Sequence, residues 1–351
     1  MKNTTAHERL ENNFLPHRHH ANRPHPALFG SRSVDPDMVR FVVGAALAIV
    51  MLVLAVLRPP MDLLLSRFQF SDELQIIRVR SSEKLVEKLQ ALALWDVSPK
   101  AEVPPVVFTQ FPDDFDRIDF DLKKRVFLHT LLPVAMVANA EVEQERSMLL
   151  SLLDKLGDCD PDQLLANRAA DARASGLSKN ELYFLQQLGD KYRTNRMEEL
   201  VRRVNVVPVS LILAQGALES SWGGSRFASE GNNLFGVWTW GKSGMVPQRR
   251  EAGKRHLVAM YDTILDSARS YLLMINRQAA YREFRTLREQ TMDPMQLANG
   301  LLRYSERRDD YVASLQSFIQ QNRLQQYDEC VLSAGLPQRE AKPVKLAGLI
   351  N

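Results

Sequence analysis

The chain has 351 residues, of which 45% are hydrophobic and 25% are charged, and its formal net charge is +3 at pH 7. This composition is typical of a globular protein with an apolar core, and the interleaving of basic with acidic residues disfavours a nucleic-acid-binding surface. The two cysteines, Cys159 and Cys330, have neither zinc-ribbon nor CxxC spacing, and a disulfide between them stays open.

The first part of the chain predicts a tail and a membrane anchor. Residues 1–37 are polar, rich in His, Asn and Pro, and without apolar periodicity, which indicates a disordered tail. Residues 38–58 include a long uncharged apolar run, which predicts a transmembrane helix; a cleaved signal peptide fits less well because no small-x-small site ends the run. Since more basic residues precede this run than follow it, the amino terminus is expected in the cytoplasm and the remainder outside.

The remainder divides into three predicted parts. Residues 59–114 are interpreted as a stem or linker with one helix over residues 72–95 and a proline-rich link after it. Residues 115–330 predict the folded domain, because apolar residues recur there at helical spacing. Residues 331–351 are expected to form a C-terminal tail.

Several signals locate helices inside the domain. Pro133 should kink or divide the first helix. A capping box at Ser178 and Glu181 predicts a helix that ends near Gly189. Pro208 is expected as the first residue of the next helix, which is apolar on nearly every side and is therefore a central buried helix.

The pattern changes after this central helix. Two short alternating runs, residues 245–249 and 256–260, could pair as a small hairpin. Amphipathic helices are then predicted over residues 263–276, 279–289, 294–305 and 310–326. The resulting fold class is α+β and mostly α, with a small β lobe inserted after the central helix and one transmembrane helix preceding the domain.

Glu219 is a carboxylate at the end of the apolar central helix. Partial desolvation there should raise its pKa and favour the protonated form, which is what a glycoside hydrolase needs to protonate a leaving oxygen. The structural alternative is an ordinary ion pair at a helix end. The neighbouring residues favour a catalytic role for Glu219. Trp222, Phe235 and Trp238 offer aromatic faces for a sugar ring, and Asn233 offers amide groups for its hydroxyl and acetamido substituents.

Residues 217–236, ALESSWGGSRFASEGNNLFG, resemble the central motif of the glucosaminidase family of peptidoglycan hydrolases. The flanking segments KKRVFLHTLLPVAMVANAEVEQER, VNVVPVSLILAQ and YSERRDDYV are similar to the Bax-type branch of that family, over residues 122–322. The matching motif positions are Glu219, Ser220, Trp222, Gly223, Ser225, Ala228, Asn233, Leu234, Phe235 and Gly236.

This resemblance implies a lysozyme-like fold and cleavage of the β-1,4 bond on the N-acetylglucosamine side of the glycan, with Glu219 as general acid. It also implies a catalytic role for Tyr311 and a substrate contact for Tyr304, without a metal or another cofactor. Peptidoglycan strands would be the partner. The expected location is the bacterial inner membrane, single-pass, with the catalytic domain in the periplasm.

The second carboxylate that such chemistry usually employs is less clear in the sequence. Glu251 is a weak candidate on the proposed hairpin, and Glu230 and Asp262 are no better, so that retention and inversion both stay open. A lytic transglycosylase, which also uses one glutamate, is an alternative function. A non-catalytic wall-binding scaffold is another.

Overall fold

The computed structural model describes residues 74–167, 175–241, 244–247 and 256–334. These residues all belong to one compact unit, Pro60–Asn351. The predicted tail and anchor, which together span residues 1–58, lie outside the described residues, and so does Glu251.

Helices dominate the described residues, as the sequence predicts. The α-helices are α1 (Ser82–Ala91), α2 (Phe120–Leu153), α3 (Pro161–Ala166), α4 (Lys179–Tyr192), α5 (Met197–Arg203), α6 (Val209–Ser220), α7 (Arg226–Gly231), α8 (Ile264–Arg277), α9 (Arg282–Arg288), α10 (Pro294–Leu297) and α11 (Asp309–Gln321). Short 3₁₀ helices occupy Phe115–Arg117, Ala279–Tyr281, Ala298–Leu301 and Leu324–Glu329. The strands are β1 (Gln75–Ile77), β2 (Glu102–Val103), β3 (Val106–Phe108), β4 (Trp238–Thr239), β5 (Leu257–Val258) and β6 (Val331–Leu332).

The strands pair in twos within the described residues. β1 runs parallel to β3, and β2 runs parallel to β6, with Glu102 opposite Val331. β4 and β5 are antiparallel and form the small β lobe after α6. Met245 bridges Val258, so part of the predicted hairpin pairing is present, although the main partner of β5 is β4.

The interpretation of residues 59–114 as a stem is wrong from residue 74 onward. Ile77, Leu85 and Phe108 are buried in the same core as α2 and α6, so this segment is part of the domain. The helix expected over residues 72–95 begins only at Ser82, after the N-cap Ser81, because the residues before it form β1. Three-residue strands are too short to give a periodic signal, and the partner of β1 lies beyond the next helix.

Helix α2 forms the centre of this core. It continues through Pro133 as one helix, so the proline does not divide it. Among the described helices only α2 is long and apolar enough to cross a membrane, yet most of its surface is buried inside the domain. It packs against α6 and α8. Its length therefore reflects a core helix of the domain.

Helix α6 lies beside α2 and is buried along nearly its whole length, which confirms the predicted central helix. Pro208 precedes its first residue. Asp328 binds the helix start: Ser210 N donates to its Oδ1 at 2.8 Å and Ser210 Oγ to its Oδ2 at 2.7 Å. A Cβ on Gly216 would lie 2.7 Å from Leu131 Cδ2, so glycine permits the close approach of α2. These contacts fix the start and the middle of α6 against the core, and they therefore also set the position of its carboxyl end.

A second apolar cluster among the described residues joins the end of α2 to α3, α4 and α5. The capping box of Ser178 and Glu181 is confirmed at the start of α4, which ends at Tyr192 instead of near Gly189. Cys159 packs on this cluster and Cys330 on the first, and within the described residues both are free thiols.

Candidate active site

Glu219 lies in the last turn of α6 and is half-buried. The helix ends directly after Ser220 because Ser221, Trp222 and Gly223 adopt left-handed backbone conformations, with φ of 51°, 59° and 78°. The Ser220 hydroxyl secures this turn, since Gly223 N donates to it at 2.8 Å. The abrupt stop leaves the Glu219 side chain at the edge of the core instead of inside it.

Two tyrosines that come much later in the sequence, Tyr304 and Tyr311, lie near this carboxylate. Tyr311, in the first turn of α11, is buried, and its hydroxyl lies close enough to Glu219 to lower the pKa of that carboxyl. The Tyr304 ring stacks on Tyr311 with centroids 5.4 Å apart and planes 8° apart. Tyr304 Oη donates to Phe235 O at 2.8 Å, and this bond connects the stacked tyrosines to the segment after α7. The structure thus brings together Glu219, Tyr304 and Tyr311.

Burial raises the pKa of Glu219 above its ordinary value of 4.5. The hydrogen bond from Tyr311 and the positive charge of Arg307 act in the opposite direction and offset part of this effect. Burial also raises the pKa of Tyr311, whose hydroxyl therefore keeps its proton. The arrangement is a carboxylic acid that favours its neutral form beside a neutral phenol donor.

The raised pKa of Glu219 predicts a pH-dependent difference in stability between the wild type and Glu219→Gln. The folded state retains a proton that the unfolded state releases near pH 4.5, so the contribution to stability is complete below that pH and is lost as pH rises through the folded pKa. The free energy of unfolding of the wild type should therefore fall, relative to that of Glu219→Gln, as the pH rises above the ordinary value of 4.5. Urea unfolding of both proteins measures this difference, and a constant or rising difference would contradict the raised pKa.

Trp222 does not provide the exposed face that the sequence suggested. Only 9% of it is exposed, and its ring packs between Phe127 and Phe318, with centroid distances of 5.8 Å and 5.0 Å. Most of the Trp222 ring is therefore covered by the core, and its contact with substrate stays a prediction. Its place in the motif is explained by packing, since it anchors the turn after Glu219 to α2 and α11.

Asn233 and Phe235 are also structural in this fold, which corrects their predicted contact with substrate. Asn233 Nδ2 donates to Val237 O and to Ala259 O, both at 2.9 Å, and its Oδ1 accepts from Val237 N at 3.0 Å. The Asn233 amide thus connects the residue before β4 to the residue after β5. Phe235 is 1% exposed and stacks on Tyr271 with centroids 4.4 Å apart.

Trp238 remains a candidate for contact with a saccharide. It lies in β4, is 52% exposed, and stacks on His256 at 4.1 Å with planes 15° apart. Trp240, two residues later, is 74% exposed. Aromatic faces that are accessible and held by a neighbour are suited to sugar rings.

Gly236 borders the carboxylate on the β-lobe side. Its φ is +63°, a conformation that favours glycine, and a Cβ there would lie 3.8 Å from Glu219 Oε2. The space that a side chain would fill is therefore open toward the carboxylate. A reacting group could approach Glu219 from this side.

A second acid is not evident near Glu219 among the described residues. Glu230 is exposed and pairs with Arg226 at 3.5 Å, and Asp262 is exposed. Glu251, outside the described residues, stays a prediction. In the described ranges no cluster of three or more His, Cys, Asp or Glu side chains could hold a metal ion.

Residues 194–324 match the family model described as mannosyl-glycoprotein endo-beta-N-acetylglucosaminidase, or glucosaminidase. This range contains α6, the turn after Glu219, the β lobe and both tyrosines. Over this range the chain is similar to the glucosaminidase family. Helix α2 and the strands before it lie outside the matched range, although they belong to the same core.

Known relatives of the glucosaminidase domain include a curated protein and two solved structures. Protein bax of Escherichia coli K12 is 30% identical over 169 residues, which cover 48% of this chain and 56% of that protein. The chain thus spans about half the length of this relative. The catalytic domain of the autolysin Auto from Listeria monocytogenes is 20% identical, with a TM-score of 0.29 and coverage of 53% of this chain and 96% of that one. A C-terminally truncated glycoside hydrolase domain of FlgJ from Salmonella typhimurium is 23% identical, with a TM-score of 0.26 and coverage of 47% and 98%.

Two further residues of the glucosaminidase domain belong to the site and were not singled out from the sequence. Gln215 is fully buried one turn before Glu219, and Tyr271 is fully buried in α8; both take part in hydrogen bonds that reach Tyr311. A signal for Gln215 was present, because it is a polar residue four positions before Glu219 on an otherwise apolar helix. Tyr271 has no such signal, since tyrosine is common in amphipathic helices.

Proposed function

We propose that this protein is a peptidoglycan hydrolase that cleaves the β-1,4 bond on the N-acetylglucosamine side of the glycan strand. The observation that carries the proposal is the half-buried Glu219, which lies beside Tyr311 and Arg307 at an edge left open by Gly236 and has a raised pKa. The glucosaminidase model over residues 194–324 supports the reaction class. An autolysin and a glycoside hydrolase domain among the similar structures agree with it.

Glu219 acts as the general acid in this proposal. Burial disfavours its charged form, and its protonated form transfers the proton to the bridging oxygen as the glycosidic bond breaks. The carboxylate that results accepts the hydrogen bond of Tyr311 and is stabilised by the nearby Arg307 charge. The same groups that moderate the pKa in the resting state therefore stabilise the charge that develops during proton transfer.

The proposed sugar contacts lie on the β lobe and on the tyrosine wall. Trp238 and Trp240 of the β lobe have exposed rings, and Tyr304 and Tyr311 stack on each other beside Glu219. The acid that assists the attacking water, or that forms a glycosyl bond, is proposed to be Glu251. The position of Glu251 in the sequence between β4 and β5 supports this assignment.

The proposal also includes the location of the enzyme. An anchor over residues 38–58 would hold the protein in the inner membrane, with its amino terminus in the cytoplasm and the catalytic domain in the periplasm. The apolar run and the asymmetry of basic residues around it support this arrangement. The domain would then reach strands close to the membrane surface.

Product analysis tests the reaction directly. Purified peptidoglycan is incubated with the full-length protein, and the new chain ends are identified by mass spectrometry. We expect reducing N-acetylglucosamine ends. Anhydro-muramic ends would show a lytic transglycosylase, and binding to the wall without any new ends would show a scaffold; either result would overturn the proposed hydrolysis.

A further inference from the structure

We propose that Gln215 is a positioning residue that directs the hydroxyl hydrogen of Tyr311 toward Glu219, and that Tyr271 fixes the orientation of the Gln215 amide. This inference rests on the proposed function, because it assigns how the acid of that site is controlled. It concerns two side chains that have no access to a saccharide, since both are fully buried.

The hydrogen bonds form one chain from α8 to the carboxylate. Tyr271 Oη donates to Gln215 Oε1 at 2.6 Å, and Gln215 Nε2 donates to Tyr311 Oη at 3.1 Å. The Tyr311 hydroxyl in turn acts on Glu219, because it lowers the pKa of that carboxyl. Three elements, α8, α6 and α11, are therefore joined through polar groups inside an apolar core.

The direction of these bonds follows from the number of hydrogens on each group. A phenol has one hydrogen to donate, and the oxygen of Tyr311 already accepts from the Gln215 amide. The Tyr311 hydrogen is therefore available for the Glu219 carboxyl. If the amide were turned around, its oxygen would face Tyr311 and would compete with Glu219 for that hydrogen.

Tyr271 prevents this reversal. Its hydroxyl is buried and satisfied by donating to the Gln215 oxygen, and a reversed amide would place an NH₂ group there and leave the phenol hydrogen without an acceptor. The Tyr271 ring is itself held by stacking on Phe235, with centroids 4.4 Å apart. The orientation of the amide is thus fixed by packing that lies away from the reacting atoms.

The inference predicts a specific kinetic change for Gln215→Met. Methionine has a similar volume and keeps the apolar packing, but it cannot donate a hydrogen bond to Tyr311 Oη, so the orientation of the Tyr311 hydroxyl hydrogen is no longer fixed. Because the interaction of Tyr311 with the developing carboxylate is weakened and not removed, kcat should fall by about 10-fold. KM should stay within about 2-fold, since Gln215 does not contact substrate.

The pH profile separates a positioning role from a structural one. Without a directed hydrogen bond from Tyr311, the Glu219 proton is held more tightly, so the basic limb of the kcat profile should move to higher pH. Tyr271→Phe, which keeps the ring, should move the limb in the same direction by a smaller amount. It also keeps the test valid if Gln215→Met does not fold.

Gln186→Met is the matched control. Gln186 is a buried glutamine of α4, and its Nε2 donates to Leu164 O and Asn167 O at 3.0 Å in the second apolar cluster. This variant should lose stability as Gln215→Met does, yet keep the wild-type pH limb and kcat. Two results would overturn the inference. The basic limb of the kcat profile could stay at the wild-type pH in both Gln215→Met and Tyr271→Phe. Alternatively, it could move by the same amount in Gln186→Met.

A titration distinguishes failure of this inference from failure of the proposed function. The full-length protein is labelled with ¹³C at glutamate side-chain carboxyls, and the Glu219 signal is assigned by its absence in Glu219→Gln. Gln215→Met should raise the pKa of Glu219 whether or not peptidoglycan is cleaved. An inactive wild type would refute only the proposed function, and an unchanged Glu219 pKa would refute only the positioning role.

Discussion

Glu219→Gln is expected to lower the rate of glycan cleavage by about 10²–10⁴-fold, the usual contribution of a general acid. The amide has nearly the same shape as the carboxylic acid and can still interact with Tyr311, but it cannot transfer a proton to the bridging oxygen. Since binding depends on the surrounding walls, the affinity for wall fragments should remain within about 3-fold of the wild type. The loss should therefore be in kcat.

The measurement is the initial rate of release of soluble fragments from purified peptidoglycan, together with a binding isotherm for the same material. Glu283→Gln is a suitable control, because Glu283 is an exposed carboxylate of α9 outside the site. The control should match the wild type in both measurements. Undiminished cleavage by Glu219→Gln would exclude this carboxyl as the acid.

Gly300→Ala is expected to lower the stability of the domain strongly, because the added methyl group has no space. A Cβ at Gly300 would lie 2.3 Å from Phe284 Cα and 2.5 Å from Phe284 N, and these backbone atoms cannot rotate away as a side chain could. The Ala298–Leu301 segment and α9 would have to separate, at a cost of about 1–3 kcal/mol or more.

Activity should fall together with stability in this variant. The displaced segment leads directly into Tyr304 and Tyr311, so a shift of a few tenths of an ångström would alter the wall opposite Glu219. Thermal unfolding and fragment release measure the two effects. Gly157→Ala is the control, since no heavy atom of the described residues lies within 4 Å of a Cβ at that position. Equal behaviour of the two variants would show that the Phe284 contact can relax.

The features that the sequence predicted well are those with local causes. The capping box at Ser178 and Glu181 depends on residues three positions apart, and it forms as expected. The burial of α6 follows from its largely apolar composition, and the position of Glu219 in the last turn of that helix explains why partial desolvation could be anticipated. In each case the governing interactions lie within one or two helical turns.

The features that were missed depend on distant partners. Residues 74–114 resemble a linker because their strands are three residues or shorter; β1 pairs with β3 across an intervening helix, and β2 pairs with β6 far along the chain. Trp222, Asn233 and Phe235 were assigned to the substrate by residue type, but the type of an aromatic or amide side chain does not tell whether it faces a ligand or the core. Their burial is decided by Phe318, Ala259 and Tyr271, which come from later parts of the chain.

The pairing of β2 with β6 has a consequence for how the domain is made. Glu102 and Val103 emerge from the ribosome before almost all of the helices, but their partners, Val331 and Leu332, are among the last described residues to be synthesised. This pair can form only after most of the polypeptide has been translated, and contacts of such long sequence separation slow folding. Nascent chains should therefore expose the β2 edge for most of their synthesis, and this edge is where a chaperone would find an open strand.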